Sequence, residues 1–394
     1  MNVHAPALFP DETLASARAL FPYLAGGRLY MNHAGTSPLS TTVVAAMSGY
    51  LRRRSEGMLD TYTDDCTMVD RCRGAIARLV HAASADRIAF QVNTSDAINV
   101  LASGLSWTSG DRIVLGAIEF PANVYPWLNL RSQGVEIDFL TAPDGRITTE
   151  MIAAKLTART RLVALSAVQF LSGFRADLRS TGALCRSRGI VFAVDGIQAV
   201  GAIDLDVQSD NIDFLAAGAQ KWQMGPHGTG FLYLTEELQS RVRQKYLGWL
   251  SVEDPWSFYT YDQAMASSAR RYEGGSLNMP SLWGLDASIG TLLEYGPARI
   301  ASHILAVTGE LMRRLGRIDG VSLLTPPASD ERAGIVSIAL DSRLSAARVY
   351  DRLVARGLTI AAREGKLRYS PHFCNSIGDV RLAADLTEEC IREG

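Results

Sequence analysis

Lysine is nearly missing from this sequence: Lys155, Lys221, Lys245 and Lys366 are the only four in 394 residues, so its 39 basic side chains are overwhelmingly arginine. A lysine found in a chemical setting therefore carries unusual information. Excess charge of either sign is missing too. The 39 basic and 41 acidic residues leave a formal charge of -2, which gives no global field to draw nucleic acid or an anionic membrane. Small molecules are the expected partners, with no nucleic acid and no membrane. The five cysteines, Cys66, Cys72, Cys185, Cys374 and Cys390, form no C-x-x-C pair and have no histidine at zinc-ligand spacing, so no metal site is expected. No apolar run approaches the roughly 18 residues of a membrane span, and the N-terminal stretch has no charged leader ahead of an apolar core. The expectation is a reduced, cytoplasmic chain.

What is present, from about residue 85 to 235, is an alternation of short β-branched runs with segments of helical period, the pattern of a parallel sheet covered by crossover helices. Candidate strands are Arg87–Val92, Arg112–Ile118, Val135–Leu140, Leu162–Val168, Ile190–Val194, Phe214–Ala217 and Gly230–Leu234. Candidate helices include Ser95–Leu105 and Leu178–Ser187. Runs such as IVFAV and RLVALSAV are apolar on both faces, as expected when helices cover both sides. After about Leu282 the texture changes to a long helical stretch and then to GIVSIAL, SAARVYDRLVARGL and KLRYSPHF, read as a smaller α+β domain. The fold class is α/β, a large doubly wound domain with a mostly parallel sheet over residues 31–285 and the smaller domain over 286–394. Residues 1–30 are expected to pack with the smaller domain. Between Gly248 and Pro280 lies a long loop rich in Trp, Tyr, Ser, Gly and Pro, of a length that often has a function.

Chemistry concentrates on two segments. In VFAVDGIQAVG a strand runs into Asp195, and in FLAAGAQKWQMGPHGTGFLYL a turn between two strands holds Lys221. Ligands of open α/β sheets bind at the carboxyl edge, so the two would face one cleft. A carboxylate there and a lysine beside it suit pyridoxal phosphate. The lysine forms the imine, and the acid keeps the pyridine nitrogen protonated so that the ring can accept electrons. Taken singly, Lys221 reads as a loop lysine; the pairing with Asp195 carries the argument. A nucleotide-binding protein is a weaker reading, because GPHGTG is not G-x-G-x-x-G and lies beyond Lys221.

The spacing D-x-x-Q-x-x-G, followed by a lysine and a G-P-x-G-x-G passage, resembles the signature of class V aminotransferases and cysteine desulfurases, pyridoxal-phosphate enzymes of fold type I. The resemblance spans residues 28 to 378 and is closest in flavour to the isopenicillin-N-epimerase-like subgroup. It implies a phosphate-binding turn at Asn93, Thr94 and Ser95, where a strand meets a helix N-terminus, although a plain N-cap explains Thr94 or Ser95 equally. It places Phe120 where relatives stack a ring on the cofactor, and Gln169 and Gln198 around the cofactor ring. Gly218, Ala219 and Gln220 replace the serine and histidine found before the lysine in many desulfurases; Gln220 would then substitute as a phosphate donor. RRYEGGSLNMP resembles a loop that crosses a dimer interface to the partner's phosphate, which implicates Gly275 and Ser276 and implies a homodimer with shared active sites. Arg368 matches the arginine that grips a substrate carboxylate, and LYMNHAGTSPLS brings Asn32 and His33 near substrate. The cysteine-bearing loop that desulfurases carry before this arginine is absent, with only Lys366 and Leu367 between REG and Arg368, and a buried structural thiol is the reading for Cys374.

The implied activity acts on an amino acid or amine: Lys221 forms a Schiff base with the cofactor, substrate displaces it, and the freed amine removes the α-proton. Transamination is the first reading. Carbon–sulfur or other β-elimination is second, and epimerisation, with His33 as a candidate donor on the opposite face, is third. A non-enzyme alternative is a silent cofactor-binding regulatory protein.

Overall fold

The computed structural model describes residues 6–57 and 62–393, so the first five residues of the N-terminal segment lie outside the described residues. In chain order its strands are β1 (Leu29–Tyr30), β2 (Ile88–Gln91), β3 (Arg112–Gly116), β4 (Glu136–Leu140), β5 (Thr160–Ser166), β6 (Val191–Asp195), β7 (Phe214–Gly218), β8 (Gly230–Leu234), β9 (Val321–Leu323), β10 (Val336–Leu340), β11 (Leu358–Thr359), β12 (Ala361–Arg363) and β13 (Lys366–Tyr369). All seven candidate strands enter one sheet of order β2-β8-β7-β6-β5-β3-β4. Strands β4, β3, β5, β6 and β7 run parallel, whereas β8 is antiparallel to both β7 and β2.

Alternate residues of the central strands feed separate cores. Phe192 and Val194 of β6 join one apolar cluster with Leu178 and Cys185 of the helix Leu178–Ser187. Val191 and Ala193 join another with Ala97, Ile98 and Leu101 of the helix Thr94–Gly104. Burial on both faces is why these strands read as continuous apolar runs. The register sets Ser166 opposite Asp195 and Asp195 opposite Ala216, so β5 and β6 end level at one edge and β7 runs two residues further.

The long helical stretch divides into Met279–Tyr295 and Pro297–Leu315. Gly296, at φ 84°, takes a left-handed turn that closes the first helix, and Pro297 supplies the preset φ that starts the second. Beyond them β12-β13-β10-β9 form a four-stranded antiparallel sheet. Its core combines Val336, Ile338, Leu367 and Tyr369 with Leu311, Val349, Leu353 and Val380 from the flanking helices. Only the end of the N-terminal segment joins the same assembly, since Phe9, Ala17, Phe21 and Leu24 pack into the larger apolar cluster. β1 lies parallel to β11, Leu29 and Met31 enter that core, and Asn32 bridges Ser370. The long loop contributes only two single-turn helices, Trp249–Ser251 and Ala269–Tyr272, and leaves Phe258, Tyr259 and Tyr261 exposed, as are Tyr246 and Leu247 just ahead of it. Among the described residues no helix is long and apolar enough to cross a membrane.

Candidate active site

Asp195 closes β6 near the middle of the sheet and is buried. Its Oδ1 accepts a hydrogen bond from the Ile197 amide at 2.9 Å, while Oδ2 is buried with no protein partner. Burial raises its pKa to about 6, the Ile197 bond opposes this, and Glu119 adds to the rise while Lys221 works against it. Lys221 sits in the turn after β7, where loss of water lowers its pKa to about 8; Asp195 opposes that shift, and Arg368 and Arg363 add to it. An amine so placed is partly neutral near neutral pH, the state that attacks a carbonyl or takes a proton. Lys221 Nζ stands 5.4 Å from the centroid of the Phe120 ring, which meets Phe170 edge-on at 5.3 Å.

Glu119, the residue before Phe120, is a functional group that sequence reasoning missed. It is buried and receives hydrogen bonds from Ser166 N at 3.0 Å, Gln169 Nε2 at 2.7 Å, Asn123 Nδ2 at 3.1 Å and the Ser166 hydroxyl. Burial raises its pKa and these donors pull it back. Glu119 thereby ties the Phe120 turn to the end of β5 and fixes Gln169, whose Oε1 is left buried without a partner. A lone acid inside the apolar passage GAIEFPANV was the available signal.

At the other end, Thr94 Oγ1 accepts from Gly218 N at 3.0 Å, joining the start of its helix to the end of β7. A Cβ on Gly218 would stand 2.7 Å from Gln220 Oε1 and 3.4 Å from Thr94 Oγ1, so glycine keeps a small polar cradle open. Ser95 lines an open recess with Phe120 and Tyr125. Asn93 is spent on its helix, since it accepts from Asp96 N at 2.9 Å and donates to Asp96 Oδ2 at 3.0 Å. Gly275 lies beside Trp249, and Ser276 lines a recess with Trp249, Trp256 and Arg73. Glu273 of that loop is buried against Arg73, with both oxygens within 2.9 Å of Nη2.

The lysine turn is held from behind. Gln198 donates to Ala34 O at 3.1 Å and accepts from Trp222 Nε1 at 2.7 Å, so its amide is engaged by protein at both ends. Trp222 packs so closely on Gly334 that a Cβ there would come within 2.2 Å of its ring. His372 Nε2 donates to Trp222 O at 2.9 Å. Ser37 gives its hydroxyl proton to Lys221 O at 2.5 Å, so its oxygen accepts from His33 Nδ1 at 2.8 Å. That assigns the Nδ1–H tautomer to His33 and leaves Nε2 a buried lone pair. Asn32 has its Oδ1 buried without a partner close by the same segment.

Burial holds His33 well below its ordinary pKa and lowers His372 to about 3, so both are neutral when folded. In an unfolded chain each takes a proton near its ordinary value of about 6.5. The stability tied to a neutral His372 is therefore complete above about 6.5 and is lost as pH falls toward 3. His372→Asn is expected to be destabilised at pH 8, and its deficit relative to wild type should shrink by about 1.4 kcal/mol per pH unit between about 6 and 4. Denaturant unfolding across that range checks this; a constant deficit would mean the ring is not buried neutral.

Arg368, on β13, is buried, donates from Nη1 to Phe170 O at 2.7 Å and has Nε without a partner. Burial first, and Arg363 second, lower its pKa to about 10. Among the described residues no carboxylate pairs with it, a costly state for a buried cation and one that an anionic ligand relieves. Cys374 is buried, and its thiol is pushed up to about 12 by burial. The unpaired Asp195 Oδ2, the open cradle at Gly218, the Phe120 ring and the Lys221 amine together fit a flat ring with a basic nitrogen, an aldehyde and a phosphate.

The family description for class V aminotransferases matches residues 29–372. A probable cysteine desulfurase of Methanothermobacter thermautotrophicus is 28% identical over 92% of this chain and 94% of its own length. An uncharacterized aminotransferase of Bacillus subtilis is 26% identical over 79% of this chain and 81% of its own. Among solved structures, the cysteine desulfurase CsdA of Escherichia coli superposes with a TM-score of 0.86 at 22% identity, covering 98% of this chain and 100% of that one. A complex of the cystine C-S lyase C-DES with its product cysteine persulfide gives 0.84 at 24% identity, over 93% and 99% of the two chains. At these identities the structural likeness establishes the fold.

Proposed function

The chain belongs to the class V aminotransferase family and is a pyridoxal-phosphate-dependent enzyme, and from that premise we propose that it is a lyase that removes a sulfur-linked β-substituent from an amino acid. The observation that carries the amino-acid reading is the buried Arg368, unpaired within the described chain and close enough to Lys221 to lower its proton affinity. A bidentate fork there would hold an α-carboxylate. Bound pyridoxal phosphate supplies an aldehyde for the substrate amine and a ring that draws electrons from Cα. Asp195 Oδ2 would face the ring nitrogen, Phe120 its face, and Thr94, Ser95 and Gln220 the phosphate. Lys221, freed as an amine, takes the α-proton and holds it beside Cα.

Elimination is favoured over transamination by the relatives named cysteine desulfurase, and transamination is the second reading because of the relative named aminotransferase. Only Glu364, Gly365, Lys366 and Leu367 stand between Arg363 and Arg368, and Cys374 is buried and neutral, so sulfur would leave to solvent rather than to an enzyme thiolate. Epimerisation would need a proton on His33 Nε2, which burial opposes. Gly275 and Ser276, which border Trp249, would reach the partner's phosphate in a homodimer.

The overall change is X–CH2–CH(NH3+)–COO− plus water to HX, pyruvate and ammonium: the Cα–H and Cβ–X bonds break and HX leaves with a proton. Protein reconstituted with pyridoxal phosphate is expected to release pyruvate and ammonium in equal amounts, together with one sulfide per L-cysteine or one cysteine persulfide per L-cystine. Release of a 2-oxo acid that keeps its β-substituent, with an aminated cofactor, would instead establish transamination. Neither outcome with any amino acid would sink both readings.

A further inference from the structure

The hairpin that carries Arg368 holds more positive charge than one carboxylate requires. β12 and β13 pair with Arg363 opposite Lys366 and Ala361 opposite Arg368, so strand alternation puts Arg363, Lys366 and Arg368 on one face. Arg363 is diagonal to Arg368, a spacing of roughly 7–8 Å between backbones. The connecting turn is tight, with Glu364 at φ 47° and Gly365 at φ 70°, and it pins this register. Arg363 is exposed and Lys366 half-buried, so the row runs from the rim inward to the buried Arg368.

None of the three has an ion-pair partner among the described residues. The one hydrogen bond of the Arg363 guanidinium goes to the carbonyl of its neighbour Ala362, at 3.3 Å. Elsewhere in the chain arginines find acids: Arg112 binds Asp138, Arg314 binds Asp385 and Arg356 binds Glu389. Glu364, next to Arg363 in the turn, makes no such pair. The charge of Arg363 is also felt in the site, where it lowers the proton affinity of both Lys221 and Arg368. Three like charges in a row repel one another, and a ligand with two negative groups relieves that repulsion where a ligand with one leaves part of it.

The geometry points to Arg363, assisted by Lys366, as the receptor for a second anionic group, the terminal carboxylate or similar oxyanion of an amino acid whose α-carboxylate lies on Arg368. This rests on the amino-acid reading above and narrows it to substrates with acidic side chains or with departing groups that end in an acid. Lys221 handles the reacting carbon, and Arg363 selects what reaches it.

The test is a spectroscopic titration of the reconstituted protein, reading the cofactor's absorption, with L-aspartate, L-glutamate and L-2-aminoadipate against L-asparagine and L-glutamine. In wild type the acids are expected to bind at least about 10-fold more tightly than the amides, and the preference should weaken with added salt. In Arg363→Gln the ratio should fall close to one, and Lys366→Gln should reduce it in the same direction by less. Equal binding of acids and amides in wild type, or an undiminished preference in Arg363→Gln, overturns the assignment while leaving the amino-acid reading in place. No spectral response to any amino acid, with the cofactor band present, overturns that reading and this one with it.

Discussion

Lys221→Ala is expected to lower turnover by at least about 10³-fold and to abolish the visible absorption of the bound cofactor. The lysine is asked for two things at once, an amine to anchor the cofactor and a base beside the reacting carbon. Burial prepares it for both, because a pKa near 8 leaves a useful neutral fraction at physiological pH. The fold should survive. The turn is held through the lysine's main-chain carbonyl, which receives Ser37 Oγ at 2.5 Å and Met224 N at 2.9 Å, and alanine keeps that carbonyl. Stability is therefore expected within about 1 kcal/mol of wild type, as for substitutions that create no cavity and orphan no charge. Steady-state kinetics with an absorption scan decide it; more than a tenth of wild-type activity would remove Lys221 from the chemistry.

Asp195→Asn separates catalysis from stability in the opposite sense. Without a carboxylate the ring nitrogen loses the partner that keeps it protonated, and activity should fall by about 10²–10³-fold, the range of a single electrostatic or proton-holding group. The protein without cofactor should be as stable as wild type at pH 8, or more so. A buried carboxyl whose pKa rises from 3.8 to about 6 is most favourable to the fold when protonated, and that contribution is lost as pH rises from about 4 through 6. Above that window the ionised form costs on the order of 3 kcal/mol, which asparagine does not incur while its Oδ1 still serves the Ile197 amide. Thermal unfolding of both forms with and without pyridoxal phosphate checks this. A less stable variant in the absence of cofactor would mean that Asp195 has a protein partner.

The central strands were legible because burial on both faces writes itself as an unbroken apolar run, and Asp195 stood out as the charge that ends one. Lys221 was legible through scarcity as much as through spacing. The reversed direction of β8 leaves no such trace, since a strand buried on two sides reads alike in either sense, and Gly296 was read through because the helical period resumes at once beyond it. Glu119 escaped because its value depends on Gln169 and Ser166, some fifty positions away, which only the aligned edges of β3, β5 and β6 bring together. Gln198 has its amide engaged by Ala34 and Trp222, neighbours that spacing cannot reveal. Gly275 and Ser276 border Trp249, and the role expected of them depends on a second copy.

The pairing of β1 with β11, and of Ala34 N with Ser370 Oγ across 336 positions, has a consequence for the order of events during synthesis. The seven-stranded sheet draws only on residues 88–234 and can close while later segments are still being made. The backing of the lysine turn cannot, because His372 and the strand that receives Asn32 leave the ribosome long after Lys221 does. A nascent chain would thus present its reactive amine to solvent before the wall that shelters it exists. Capture of an aldehyde at that stage would occur in an open, wet site, and only passage of the segment through Asn375 would turn a lysine on a sheet edge into an enclosed reaction centre.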